Sequence, residues 1–290
     1  MSNGLTLLGA VTAPGSRTNE DACATWSGLN AQAAWVLDGV TGINEQALLP
    51  GPTDAAWFVT QAQEILPRLL ASGAEQPIHS LLSKLVADLA AVQSRSWLDG
   101  MSEQHGETPA ASFALVRRMD ADIEIARLGD CPVLLEMQDG RVLLLDDPVL
   151  TDIELNLKRQ ILALRARGVH DASSIFQEML PSLRATRRRR NQPDGYGVLC
   201  ADDACLNLLQ LDRLPAKDIR HLLLLSDGYY RLVDVYDRYD DSGLLHATIR
   251  RGPPEMLAEL RAIEADDPMG DRHPRLKMAD DATALLLAVD

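Results

Sequence analysis

Ala33-Ala34-Trp35-Val36-Leu37-Asp38-Gly39 is the stretch on which the reading of this chain turns. Five consecutive apolar residues that stop at a turn residue read as a buried strand. A carboxylate at the end of such a strand must face a cation, a donor or water to offset its desolvation. The pattern returns at Arg127-Leu128-Gly129-Asp130, at Leu223-Leu224-Leu225-Ser226-Asp227-Gly228, and as Asp280-Asp281 ahead of a closing apolar run from Ala284 to Val289. One aspartate at a strand end is ordinarily a turn or cap residue. Several brought together would repel one another unless hard cations lay between them, and an all-oxygen ligand set suits Mg²⁺ or Mn²⁺.

Composition narrows the function classes. The chain has 290 residues, 46% of them hydrophobic, enough to bury a sizeable core. Its 28 basic and 42 acidic residues give a formal charge of -14, which argues against nucleic acid or an anionic membrane as partner. Cys23, Cys131, Cys200 and Cys205 show no CxxC spacing, so reduced thiols are expected, with neither disulfide nor zinc site. There is no basic segment followed by an apolar one at the start, and no apolar run long enough to span a bilayer, so a cytoplasmic location is expected.

In chain order, Leu5 to Val11, Ala22 to Trp26 and Ala33 to Leu37 read as strands, with Glu20 and Asp21 at the entrance of the second. The apolar spacing over Thr53 to Ala71, capped by Thr53 or Asp54, and over Gln76 to Leu98 predicts a pair of helices. Four short strands follow, Ala111 to Arg117, Ile123 to Leu128, Pro132 to Met137 and Arg141 to Leu145, the last two joined by the turn Gln138-Asp139-Gly140. Val149 to Arg167 and Ser173 to Arg190 form a polar, helical or partly irregular insertion. Tyr196 to Cys200, Cys205 to Leu211 and Ile219 to Leu225 are predicted strands, and Tyr229 to Tyr236 and Pro253 to Ala265 helices. Asp237 to Arg251 has no decisive pattern, and Ala282 to Val289 is the closing strand. This order fits one α+β domain over residues 1–290, two antiparallel sheets covered by helices.

Asn19-Glu20-Asp21-Ala22, Asp38-Gly39, Gly129-Asp130, Ser226-Asp227-Gly228 and Asp280-Asp281-Ala282-Thr283, each beside an apolar strand, resemble the ordered motifs of the PP2C-type (PPM) metal-dependent Ser/Thr phosphatases. The resemblance runs from Leu5 to Val289. It implies an α-β-β-α sandwich in which the insertion over about 149–190 is a flap beside the site. It also implies two Mn²⁺ or Mg²⁺ ions bridged by Asp38, one of them on the Gly39 carbonyl and the other on Asp227 and Asp280. Glu20 would hold a metal-bound water, and Asp130 would serve a third, weaker ion. The implied reaction is attack on phosphoserine or phosphothreonine by a hydroxide bridging the two ions, on a phosphoprotein substrate produced by an opposing Ser/Thr kinase.

Three positions depart from that pattern. Val40 stands where many eukaryotic members carry a histidine, so the leaving-group acid is unassigned. The phosphate-binding arginine falls on Ser16, and Arg17, one residue on, is the candidate to replace it through a local shift. Gly-Asp-Ser-Arg becomes Gly129-Asp130-Cys131-Pro132. Such changes leave a pseudophosphatase acting as a binding module as the alternative, with a hydrolase of small phosphorylated molecules as a third reading. Asp280 is preferred to Asp281 as ligand, and Asp21 is read as a supporting residue.

Arg184 and Arg187 to Arg190 are the one basic cluster, read either as a solvated helix end or as a docking surface for phosphorylated or acidic substrate. His79, His105, His170, His221, His246 and His273 show no paired spacing and are read as structural or surface residues. Cys131 beside Asp130 is read as a buried, inert thiol rather than a redox-sensitive one.

Overall fold

A computed structural model describes residues 4–28, 31–40, 42–44, 46–103 and 107–290. Thr41, within the glycine turn after Asp38, and His105 lie outside the described residues. Two antiparallel sheets lie face to face. The first has the order β1 (Leu5–Ala13), β11 (Ala282–Val289), β10 (Ile219–Leu225), β6 (Val133–Met137) and β7 (Val142–Leu145). The second runs β2 (Asp21–Ser27), β3 (Ala31–Gly39), β4 (Ala110–Met119), β5 (Asp122–Leu128) and β9 (Gln210–Pro215), with the two-residue β8 (Leu199–Cys200) paired to β4.

Strand alternation builds the layers. On β3, Ala34 and Val36 face inward to meet Leu222 and Leu224 of β10 and Leu285 and Leu287 of β11. Trp35 and Leu37 face outward, against α1 (Asp54–Gly73) and α2 (Ile78–Ser96). The other sheet turns Leu223, Leu225 and Leu286 toward α5 (Asp227–Asp234), α6 (Asp241–Arg251) and α7 (Pro253–Asp266). The expected α-β-β-α sandwich is thus the observed fold. Thr53 caps α1, its side chain accepting from Ala56 N–H at 3.0 Å.

The insertion is a helical hairpin, α3 (Pro148–Ala166) and α4 (Ala172–Arg187), with a small core of Ile161, Leu164, Ile175 and Met179. Two local expectations are corrected. Cys205 to Leu211 is not one strand: Asp203–Leu208 is a 3-10 helix, because Asp202 accepts from Ala204 N–H at 2.9 Å and turns the chain, and β9 begins only at Gln210. Tyr196 to Cys200 reaches strand pairing only at Leu199 and Cys200. Asp237 to Arg251 resolves into α6, capped by Asp240, which accepts from Gly243 N–H at 2.6 Å. Among the described residues, no helix is long and apolar enough to cross a membrane, and the four cysteines are free.

Candidate active site

The alternation that buries Ala34 and Val36 also sends the Asp38 side chain into the space between the sheets. Asp21 of β2 and Ser112 of β4 stand opposite Asp38 in the register, so their side chains share that face. Ser112 Oγ donates to Asp130 Oδ1 across the β4–β5 junction. Gly129, at φ +87°, makes the turn that aims Asp130 back into the gap, and a Cβ there would overlap Ser112. Asp227 enters from the other sheet as the first residue of α5, directly after β10. Gly228 lets the chain pass so close to Asp281 that a Cβ would overlap its carbonyl oxygen.

Asp38, Gly39, Ser112, Asp130, Asp227 and Asp280 line one cleft of about 300 Å³. Its far wall belongs to the insertion, including Glu154 of α3 and Arg187 of α4. Carboxylate oxygens of Asp130, Glu154 and Asp227 lie within 4.8 Å of one another. Glu154 was not foreseen. Its sequence signal is that Leu150, Glu154, Leu157, Ile161 and Leu164 follow one another at helical spacing, which puts a carboxylate on the apolar stripe of α3.

Burial and mutual repulsion dominate the electrostatics. Burial, then Asp21 and Asp227, hold the Asp38 carboxyl well above its usual range. Burial, then Asp280 and Asp130, push Asp227 up to about 7. Asp130 is raised by burial against its hydrogen bond from Ser112. Asp21 is 6% exposed, neither oxygen makes a well-formed hydrogen bond, and burial pushes it up to about 8 despite the nearby Ser226 and Thr283 hydroxyls. Asp280 goes the other way: burial opposes its charge, but Arg231 and Lys277 hold it below the usual value. Oxygen donors that destabilise one another's charge in this way fit a hard divalent cation.

Asp280 and Asp281 have separate tasks. Asp281 accepts the backbone N–H groups of Gly15 at 2.7 Å and Glu20 at 2.6 Å, which ties down the loop ahead of β2. Only Asp280 faces the cleft, where Arg231 Nη2 donates to Oδ2 at 2.6 Å and Lys277 Nζ to Oδ1 at 2.8 Å. Glu20 is buried beside Gly39, whose N–H donates to the Glu20 carbonyl at 3.0 Å.

Arg17 is exposed and outside the cleft lining, whose cations are Arg187, Arg231 and Lys277. The arginine cluster divides: Arg187 and Arg190 turn inward onto Glu107 Oε2, at 3.1 and 3.4 Å, while Arg184, Arg188 and Arg189 are exposed. No histidine among the described residues lines the cleft. His221 is half-buried, with Nδ1 2.6 Å from Glu136. Cys131 is buried, and burial beside Asp38 and Asp130 pushes its thiol far up, which leaves it unreactive.

The sequence profile of the family described as "Protein phosphatase 2C" matches residues 9–261. No curated protein sequence matches the chain. Among solved structures, the Staphylococcus aureus serine/threonine phosphatase Stp1 superposes with a TM-score of 0.56 at 12% identity, covering 100% of this chain and 98% of that one. The Mycobacterium tuberculosis serine/threonine phosphatase PstP/Ppp gives 0.54 at 16% identity, covering 99% of each chain. The catalytic domain of PstP in complex with two manganese ions gives 0.51 at 15% identity, covering 99% of this chain and 100% of that one. At such identities the superpositions speak for the fold alone, and it is the profile, spanning the strands and α5 that bring Asp38, Asp130 and Asp227 into one cleft, that places this chain in the protein phosphatase 2C family.

Proposed function

We propose that the protein is a divalent-metal-dependent phosphatase that hydrolyses phosphoserine and phosphothreonine in proteins, reversing the work of a Ser/Thr kinase. The convergence of Asp38, Asp130, Asp227 and Glu154 in one cleft carries this reading. A binding module has no use for such a cluster, since each buried carboxylate weakens the charge of the next. The manganese-bound PstP domain supports Mn²⁺ as the first cation to try, with Mg²⁺ as the second.

Asp38 with the Gly39 carbonyl would hold one ion, Asp130, Glu154 and Asp227 would hold another, and Glu20 would orient water beside Gly39. When bound, such ions activate water near neutral pH and neutralise the phosphoryl oxygens. The protein's own part is to fix these oxygens and shield the cleft. Backbone pairing with β2 and β4 holds Asp38, the Gly129 turn after β5 places Asp130, and Ser112 orients it. The insertion closes one side and puts Arg187, paired with Glu107, in the cleft lining. With no histidine among the described residues lining the cleft, water is the candidate to protonate the leaving group.

The test is phosphate release from a phosphothreonine peptide with Mn²⁺, with EDTA as the blank and Asp38→Ala and Asp227→Ala as variants. Metal-dependent release lost in both variants supports the reading. A folded wild type that releases no phosphate with either Mn²⁺ or Mg²⁺ overturns it.

A further inference from the structure

We propose that Arg231 and Lys277 are built-in cations that withdraw Asp280 from the metal-ligand set, so that divalent ions bind at Asp38 and at Asp130, Glu154 and Asp227 without it. This rests on the phosphatase reading above and departs from the ligand set that the family resemblance implies.

The geometry is specific. Asp280 Oδ2 accepts from Arg231 Nη2 at 2.6 Å, and Oδ1 accepts from Lys277 Nζ at 2.8 Å and from the Asp281 N–H at 3.1 Å. Both oxygens are therefore engaged in charge-assisted hydrogen bonds, the strong kind. The Arg231 and Asp280 side chains are only 11% and 12% exposed, so the pair is little screened by solvent. Arg231 is held from a second direction as well, Nη1 donating to the Lys277 carbonyl at 3.2 Å. It sits four residues after Asp227 on α5, so helical spacing puts the guanidinium on the same face as that carboxylate.

A divalent ion placed on Asp280 would meet these two cations at short range, and their repulsion offsets part of the attraction of Asp280 and of its neighbour Asp227. At the opposite corner Arg231 and Lys277 favour the charged form of Asp227, but their ion pairs are with Asp280. Among the described residues, Asp38, Asp130, Glu154 and Asp227 form no ion pair with lysine or arginine. Asp280 thus serves as the anchor that keeps Arg231 and Lys277 in the cleft, where they supply positive charge that Arg17, outside it, does not.

The experiment is calorimetric titration of the full chain with MnCl₂, with thermal melts to confirm folding. Asp280→Asn combined with Lys277→Met removes one negative and one positive charge, so the net charge of the corner is kept. The expected result is that this double variant binds as many Mn²⁺ ions as the wild type, with affinity within about threefold. Arg231→Met combined with Lys277→Met, which sets Asp280 free, is expected to gain one site. Loss of a site in the Asp280→Asn double variant overturns the proposal while leaving the phosphatase reading intact. A wild type that binds no Mn²⁺ and releases no phosphate overturns both, and only that pattern does.

Discussion

Asp21 stands directly opposite Asp38 in the β2–β3 register, so two carboxylates share one face of a buried ladder. Like charges in that relation destabilise a sheet unless something between them is positive or one of them is protonated. The pH behaviour of the metal-free protein follows from this. Asp38 and Asp21 are raised, Asp21 to about 8, and Asp227 is raised to about 7, all from ordinary carboxylate values near 3.8. Groups whose folded pKa lies above the unfolded one favour folding in their protonated form. Their contribution is complete below the unfolded value and is lost as pH rises through the folded one. In EDTA the melting temperature is therefore expected to fall between pH 5 and pH 8, and added Mn²⁺ is expected to raise it more at pH 8 than at pH 5. Scanning fluorimetry across that range checks both; an apo melting temperature that rises toward pH 8 contradicts the account.

Asp21→Asn keeps the shape and removes a charge that has no well-formed hydrogen bond. The metal-free variant is expected to be more stable than the wild type at pH 8 and little changed at pH 5, where Asp21 is already protonated. Each kcal/mol recovered should raise the melting temperature by about 2–4 °C in a domain of this size. Equal effects at the two pH values would show that the gain is not electrostatic.

Glu154→Gln removes a carboxylate from the set it forms with Asp130 and Asp227, on a helix whose buried positions are Leu150, Ile161 and Leu164. The fold should be untouched, and Mn²⁺ affinity at that position should fall by more than the roughly 10- to 100-fold that loss of an outer hydrogen-bond partner costs at metal sites. Titration calorimetry at pH 7 measures it. Unchanged binding would remove the insertion from the metal site.

Ser112→Ala takes away the hydrogen bond that orients Asp130. A stability loss of about 1 kcal/mol is expected from the bond alone. The same variant should weaken Mn²⁺ at the Asp130 position without changing the ion held at Asp38, so the two sites should separate in a titration.

Asp281→Ala unties the loop that enters β2, because both Gly15 and Glu20 donate their backbone N–H groups to that carboxylate. Hydrogen bonds to a charged acceptor contribute about 1.5–3 kcal/mol each, so the variant should lose at least about 2 kcal/mol by urea unfolding. Asp280→Ala, which breaks two ion pairs but frees no backbone donor of that loop, should not reproduce the loop's loss of protection in hydrogen exchange.

The strand carrying Asp38, the apolar run into Asp227, the paired helices after Thr53 and the antiparallel order of the sheets were all legible in the chain itself. These features depend on local pattern: a buried strand needs an apolar run, and a helix needs apolar residues at its own period. The 3-10 turn at Asp203–Leu208 was hidden, since its apolar residues mimic a strand and only the cap at Asp202 betrays it. From the sequence Asp280 is preferred to Asp281 as a metal ligand, but nothing there holds the contacts that give the two neighbours separate tasks. One strand-end aspartate reaches a loop more than 260 residues earlier in the chain, at Gly15 and Glu20, and no local pattern encodes that contact. Local pattern was therefore enough for the fold class and for which strand ends bear carboxylates, because periodicity and turn chemistry act between neighbours. That Glu154 joins the cluster, that Arg17 stays outside it, and that Arg231 and Lys277 hold Asp280 emerges in three dimensions alone, because charge acts through space between elements that the chain keeps far apart.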